Sequence, residues 1–550
     1  MSRSRVMVST SLIAWLALVS MPAAQAPLIS EAGMRTHVMQ LASDAFGGRA
    51  PGSPGEAMTI DYLERTLREA GLSPGNPDGT YRQEVPLYGF TVTNAPALAL
   101  RREGREVAVL AAGSEFVGWT LQQNQGTEVR DAELVFVGYG VAAPEYEWND
   151  YKDMDVRGKV VVMLVNDPPH PDASLFGGRA MTYYGRWTYK FEKAAAMGAA
   201  GAVLIHTTEG AGYGWEVVEN SWSGEQFDVV RPDRGASRCA LESWITEDAA
   251  RALFAAAGQS FDDARASAVS RDFRPLPLGL TGSTEVRLRS RTFSSHNVVA
   301  RVDGRDPQRR GELVVYSAHW DHLGVGKPAE GDSIYNGALD NASGVAGVLE
   351  IARAFASRAA EIDRSVLFLF TTGEESGLLG STHYAENPLH PLASTVAAIN
   401  VDGLNIWGRT RDIVVVGHGQ SDLDETLARA AAPLGRRVEP DSEPEKGYYY
   451  RSDHFPFAKK GVPALYADSG VEFTDRPVGW GMERRREYVA RRYHKPQDEY
   501  DSAWDLSGAA ADMELLYRVG YLLATGERKP QWSPTSEFRR VREEMLRGSK

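Results

Sequence analysis

The chain has 550 residues, 43 % of them apolar, 24 % charged and 9 % aromatic, the composition of a soluble globular protein too long for one ordinary core and so built of two domains or more. Its 73 acidic and 60 basic residues leave a formal charge of −13 with no basic stripe, which excludes nucleic acid as an expected partner and leaves a cationic or zwitterionic substrate open. Cys239 is the sole cysteine, so an intramolecular disulfide and a cysteine-based zinc site are both excluded, and any metal must be held by histidine and carboxylates.

Residues 1–26 carry Arg3 and Arg5, an apolar run from Leu12 to Val19 and then Met21-Pro22-Ala23-Ala24-Gln25-Ala26, the three-part pattern of a secretory signal peptide. The run is too short for a spanning helix, which needs about 20 apolar residues. Export to the periplasm or out of the cell is therefore expected, with cleavage after Ala24 or Ala26 and no stable membrane insertion afterwards. Residues 27–115 form the first part of the main domain. Met34, Val38 and Leu41 mark one face of a helix, and Met58, Tyr62, Leu63, Leu67 and Ala70 mark a second that stops at Gly71. Between them the glycine- and proline-rich run Phe46 to Gly55 reads as a surface loop able to line a cleft.

Between Thr91 and Leu288 the texture changes to short β-prone runs, Leu134 to Val137, Val160 to Val165 and Ala202 to Ile205, with an Ala- and Gly-rich helix at Phe191 to Ala200. This predicts a small β-rich domain inserted over residues 116–289. His170, His206, Asp167 and the acidic residues scattered through 209–233 lack metal-like spacing and read as solvated surface.

From Asn297 onward, strand and helix patterns alternate. Strands are predicted at Val298 to Val302, Leu313 to Ala318, Val366 to Thr371, Val396 to Val401, Ile413 to Val416 and Ala464 to Ala467, and helices at Ala342 to Ser357, Leu379 to Glu386, Ser421 to Ala432 and Leu506 to Leu523. The fold class is α/β, with a mixed, mostly parallel sheet flanked by helices; the main domain resumes over 290–528, and a charged tail follows over 529–550 with Trp532 tucked against the body.

The chemistry-bearing residues fall at the carboxyl ends of these strands or in the loops beyond them, where open α/β sheets put their active sites. His319 ends a strand within Ser317-Ala318-His319-Trp320-Asp321-His322, and Asp321 is spaced to orient the other ring nitrogen of His319. Asp340 precedes a helix in Gly337-Ala338-Leu339-Asp340-Asn341, Glu374 and Glu375 follow the next strand, Asp402 follows the one after, and His494 lies in a late loop. Histidine nitrogen and carboxylate oxygen are the donors that remain for zinc when cysteine is absent.

With these motifs in this order, residues 27 to about 110 and 290 to about 535 resemble the co-catalytic di-zinc aminopeptidases, whose relatives include glutamate carboxypeptidases and the transferrin receptors. The runs Asp155-Val156-Arg157-Gly158-Lys159 and Gly198-Ala199-Ala200-Gly201-Ala202 resemble the protease-associated domain inserted in that family. The resemblance implies a zinc-exopeptidase, phosphorylase/hydrolase-like fold binding two zinc ions. It implies Asp340 as the bridging ligand, His319 and Asp402 on one ion, Glu375 and His494 on the other, Glu374 as general base, and a cis peptide between Asp340 and Asn341. By offset from Ser452 it implies Tyr449 as oxyanion donor, with Tyr448 and Tyr450 as alternatives. The expected function is a secreted zinc aminopeptidase acting on peptide substrates. Its rivals are a carboxypeptidase of the same fold, for which Arg451 would be a cation for the terminal carboxylate, a non-catalytic receptor-like binding protein, and a glutaminyl cyclase.

Overall fold

The computed structural model describes residues 28–548 apart from Pro171, Ala173 and Ser223, so the expected signal peptide lies outside the described residues. Strands buried on both faces organise the larger sheet. Leu313–His319, Ser365–Thr371, Thr395–Asn400 and Asp412–Val416 are buried at every residue, as strands covered by helices on both sides must be. Alternate side chains enter opposite layers. Val314, Tyr316 and Ala318 join a core that includes residues of the helices Glu31–Leu41, Pro54–Glu69, Gly344–Ser357, Leu423–Ala431 and Ser507–Thr525. Val315, Leu367, Leu369 and Ala398 face a second core with the helices Leu379–Glu386 and His454–Lys459.

The strand order is Arg437–Pro440, Asp412–Val416, Ala464–Ser469, Thr395–Asn400, Leu313–His319, Ser365–Thr371, Leu276–Val302 and Arg82–Val92. The four strands from Ala464–Ser469 to Ser365–Thr371 run parallel, and antiparallel pairings flank them on both sides. This is the mixed sheet expected, and the parallel centre sends His319 and the loops after its neighbours to one edge.

The 27-residue strand Leu276–Val302 belongs to two sheets. Its second half pairs with Arg82–Val92 and Ser365–Thr371 in the large sheet, and its first half pairs with Gly126–Phe136 and Leu98–Arg102 in a smaller one. The smaller sheet continues through Val160–Leu164, Gly201–His206, Leu241–Thr246 and Phe116–Trp119. Two expected boundaries shift accordingly. Strands Leu98–Arg102 and Arg105–Leu110 lie before residue 116 yet pair within the smaller sheet, and no break falls at 289/290, where the shared strand is continuous.

Several polar groups of the insert expected on a solvated surface are held inside it. His206 is buried with Nε2 3.0 Å from the Tyr213 carbonyl, Asp228 is buried beside Arg231 at 3.1 Å, and half-buried Asp167 accepts from the Thr182 N–H and hydroxyl, each at 2.7 Å. Spacing tests for a metal cluster cannot reveal this role, because each partner lies in a separate turn. The tail also packs more than its charge suggests: Trp532 donates to the Gly461 carbonyl at 2.8 Å, and buried Arg542 donates to the Thr395 carbonyl at 2.9 Å. Among the described residues no helix is long and apolar enough to cross a membrane.

Candidate metal centre

Each site residue is placed by the end of a regular element. His319 is the last residue of its strand, Glu374 and Glu375 follow Ser365–Thr371, Asp402 follows Thr395–Asn400, and His494 follows the helix Trp480–Arg491. Asp340 lies in the turn Ala338–Ser343 ahead of Gly344–Ser357, and its peptide bond to Asn341 is cis. The turn begins at Gly337, whose φ is +56° and where a Cβ would sit 2.2 Å from the Asp340 carbonyl oxygen, so no other residue fits without displacing Asp340.

The five residues expected as ligands come together. His319 Nε2 lies 3.2 Å from Asp402 Oδ1 and 3.3 Å from Asp340 Oδ1. The other oxygen of Asp340 lies 3.3 Å from His494 Nε2, which is itself 2.9 Å from Glu375 Oε2. Asp340 therefore presents one oxygen to each of two groups. Glu374 stands beside the first, with Oε2 3.9 Å from His319 Nε2.

A scaffold of hydrogen bonds fixes these positions. Ser317 donates to Asn400 at 2.7 Å, Asn400 to Ser452 at 2.6 Å, and Ser452 to Asp402 Oδ2 at 2.6 Å. Asn341 accepts from the Gly403 N–H at 2.9 Å and donates to the Val401 carbonyl at 3.0 Å, tying the Asp340 turn to the Asp402 loop. Asp498 accepts from the N–H groups of Leu339 and Asp340 at 3.1 and 3.0 Å. Behind them Arg49 donates to the carbonyls of Leu41, Trp320, Asn336 and Gly337 at 2.6–2.9 Å.

The electrostatics follow from burying so many carboxylates together. Burial acts most strongly on Glu374 and, with Asp402 and Glu375 close by, holds its carboxyl well above the usual range. Burial would lower the His319 imidazole, but the carboxylates of Glu374 and Asp402 outweigh it and hold the ring well above its ordinary value. Burial pushes Asp321 up to about 7 and Arg49 down to about 10.

Three expectations change. Tyr449 does not reach the site: its hydroxyl is buried without a partner, its ring packs 4.6 Å from that of His454, and it belongs to the second core. The one-turn helix Tyr448–Tyr450 sends its middle side chain inward, which an offset in sequence does not reveal. The run around Arg49 is no mere surface loop, since Phe46, Gly48 and Arg49 are buried. Asp321 meets His319 Nδ1 chiefly through its backbone carbonyl at 3.1 Å, whereas its carboxylate is 3.8 Å away and accepts from the Glu374 N–H at 3.1 Å. One further donor was not anticipated. His322, three residues after His319, places Nδ1 2.5 Å from Glu375 Oε1, and the helical-like spacing beyond a strand end gave no reason to select it.

The donor set fits metal ions. His319, Asp340 and Asp402 form one group whose donor atoms lie within 4.8 Å of one another, His322, Asp340 and Glu375 form a second, and His319, Glu374 and Glu375 a third. Two donors each about 2.0–2.1 Å from a tetrahedral zinc ion stand about 3.3 Å apart, close to the 3.2 and 3.3 Å separations around His319 and Asp340. The carboxylates open onto a cavity of about 1280 Å³ whose wall is shared by the main domain and the insert, with Asp340, Glu374, Asp402 and His494 on one side and Tyr183 and Trp187 from the other.

The description "Peptidase family M28" matches residues 297–517, a span that contains all five expected ligands and Glu374. Over this stretch the chain is similar to peptidase family M28. Similar proteins include a vacuolar membrane protease of Kluyveromyces lactis, 33 % identical over 141 residues that cover 26 % of this chain and 14 % of that protein. Leupeptin-inactivating enzyme 1 of Streptomyces exfoliatus is 29 % identical over 189 residues, covering 33 % and 39 %. The probable lipoprotein aminopeptidase LpqL of Mycobacterium tuberculosis is 23 % identical over 522 residues, covering 90 % and 85 %. The chain thus spans well under half of the first two relatives and most of the third. Among solved structures, an aminopeptidase from Aneurinibacillus sp. strain AM-1 aligns at 20 % identity over 90 % of this chain and 94 % of its own, with a TM-score of 0.49. The matched stretch ends within the helix Ser507–Thr525, and the insert lies wholly before it.

Proposed function

We propose that this chain is an exported zinc-dependent aminopeptidase that removes N-terminal residues from peptides. The observation that carries the reading is Asp340, whose two oxygens face His319 on one side and His494 on the other. His319, Asp402 and Asp340 would hold one zinc ion and Asp340, Glu375 and His494 a second, with His322 as a further donor beside Glu375. Bound there, the ions would supply Lewis acidity to the scissile carbonyl and the attacking water and an anchor for the substrate amine.

The chain's own residues supply the proton traffic. Glu374 stands beside the first ligand group and outside both proposed ligand sets; cations held by those ligands would lower its carboxyl, which burial and the neighbouring carboxylates raise, and it then takes the proton of the attacking water and hands it to the leaving nitrogen. Tyr493 replaces Tyr449 as the donor to the developing oxyanion. It lines the cavity and stacks on His494 at 3.8 Å, and the carboxylates of Asp340, Glu375, Glu374 and Asp402 raise its phenol, which keeps it protonated and able to donate. Tyr493→Phe is expected to lower kcat by about 10- to 100-fold with a smaller change in KM. Tyr449→Phe is expected to leave kcat unchanged and stability equal or slightly higher, because it removes a buried hydroxyl that has no partner. Steady-state kinetics and thermal melts of the two variants check both.

To the insert, whose sequence resembles a protease-associated domain, we assign substrate selection, because it contributes Tyr183, Arg186 and Trp187 to the cavity wall. Native mass spectrometry of the exported protein is expected to give an N-terminus at Gln25 or Pro27 and two zinc ions per chain. The same preparation should cleave peptides with a free amine at least about 100-fold faster than N-acetylated ones, a site built for the amine rejecting its blocked form. Full activity on N-acetylated peptides, lost on C-terminal amides, would mean a carboxypeptidase. A single zinc ion with release of cyclised N-terminal glutamine would mean a cyclase.

A further inference from the structure

The two proposed metal positions are backed by different side chains. On one side Asp402 keeps Oδ1 3.2 Å from His319, and its Oδ2 accepts from the Ser452 hydroxyl at 2.6 Å. On the other side Glu375 keeps Oε2 2.9 Å from His494, and its Oε1 meets His322 Nδ1 at 2.5 Å. Each carboxylate thus offers one oxygen to a fellow ligand and has the other held from behind.

His322 is fixed where it stands. Its side chain is fully buried, and a Cβ on Gly337 would fall 2.5 Å from its Cγ and 2.6 Å from its Cδ2, so the ring packs directly against the backbone that leads into the Asp340 turn. The ring also meets that of His494 edge to face at 5.8 Å. Because a carboxylate oxygen only accepts, Nδ1 is the donor, and Nε2 is left buried without a partner. A buried ring nitrogen with no partner is unfavourable, and an apolar side chain in this place would avoid it. What the imidazole supplies instead is the bond from Nδ1.

The 2.5 Å separation decides between two roles for the ring. Two donors on one zinc ion stand about 3.3 Å apart, as His319 and Asp340 do, so Nδ1 and Oε1 are too close to share an ion, although His322, Asp340 and Glu375 lie within 4.8 Å of one another. His322 acts through Glu375. The other neighbour of Glu375 offers less rigidity, since His494 is 36 % exposed and its φ of +56° is a conformation uncommon outside glycine.

We propose that His322 is a positioning residue for the second metal position, holding Glu375 so that Oε2 and not Oε1 is presented toward His494, an inference that rests on the two-zinc reading above. Ser452 does the same for Asp402. The two positions therefore have separate supports, and each can be weakened alone.

The test titrates the full zinc-loaded chain with a chelator and counts the zinc retained per chain, a readout that needs no turnover. The wild-type chain is expected to release its two ions in two steps. His322→Leu should move one step to about 10- to 100-fold lower chelator, the usual worth of a partner behind a metal ligand, and Ser452→Ala should move the other. His322→Asn, whose side-chain amide carries an N–H donor at the place of Nδ1, should bring the step most of the way back. A role in packing alone would lower the thermal melt of both His322 variants and shift both steps together. The proposal is overturned if His322→Leu moves neither step or both alike, if Ser452→Ala moves the same step, or if the Asn variant behaves as the Leu variant does. One zinc ion on the wild-type chain would sink the two-zinc reading itself and this inference with it, a result distinct from two ions whose release no His322 variant alters.

Discussion

Glu374→Gln is expected to lower kcat by about 10²–10⁴-fold, the usual worth of a positioned general acid–base, while zinc content stays at two per chain. The substitution keeps the shape of the side chain and removes only its ability to accept a proton. The ligand sets proposed above, His319, Asp340 and Asp402 for one ion and Asp340, Glu375 and His494 for the other, do not use Glu374, although it also lies within donor range of His319 and Glu375. Asp340→Ala provides the contrast. It withdraws an oxygen from both groups at once, so metal is expected to be lost along with activity. Metal analysis beside single-substrate kinetics reads both, and near-normal turnover in Glu374→Gln would sink the mechanism.

Arg49→Met is expected to destabilise the protein by about 3–5 kcal/mol, the range for removing one member of a buried charged network, and to speed loss of zinc to a chelator. One guanidinium satisfies four carbonyls, and three of them, Trp320, Asn336 and Gly337, belong to the two segments that carry His319 and Asp340. Methionine fills similar volume but leaves those carbonyls without donors in a place water does not readily reach. The urea midpoint and the rate of chelator-driven zinc release are the measurements. If both stay at wild-type values, Arg49 does not position the site.

The contrast between Arg49 and His319 explains what the sequence reveals of this fold. Strands and helices of the main domain are legible because their apolar runs are buried on both faces; the strand expected at Leu313 to Ala318 is found at Leu313–His319, and the helix Leu379–Glu386 falls where it was expected. His319, Asp340, Glu375 and Asp402 stand out because polar groups at the ends of such runs have no packing reason to be there. Arg49 does not stand out, because its neighbours are glycine and proline and its partners lie up to 288 residues away. The inward placement of Tyr449 is hidden for a related reason: within three consecutive tyrosines, the turn alone decides that Tyr448 and Tyr450 line the cavity and Tyr449 does not. The hidden interior of the insert follows the same rule, with His206 and Asp228 satisfied by contacts that have no sequence period.

The strand Leu276–Val302 has a mechanical consequence. At about 3.3 Å per residue it approaches 90 Å of chain before twist and curvature are counted, and both walls of the cavity are laddered to it, one to each half. Domains joined by two flexible linkers swing on a hinge, whereas domains riveted to one beam move apart only by bending the beam and breaking rungs. Around Leu288 and Arg289, where the beam leaves one sheet and enters the other, Arg82–Val92 is paired alongside and stiffens the joint. The mouth of the cavity therefore has a set bore. Access to the cavity would then be set by the size of what enters, without a moving lid.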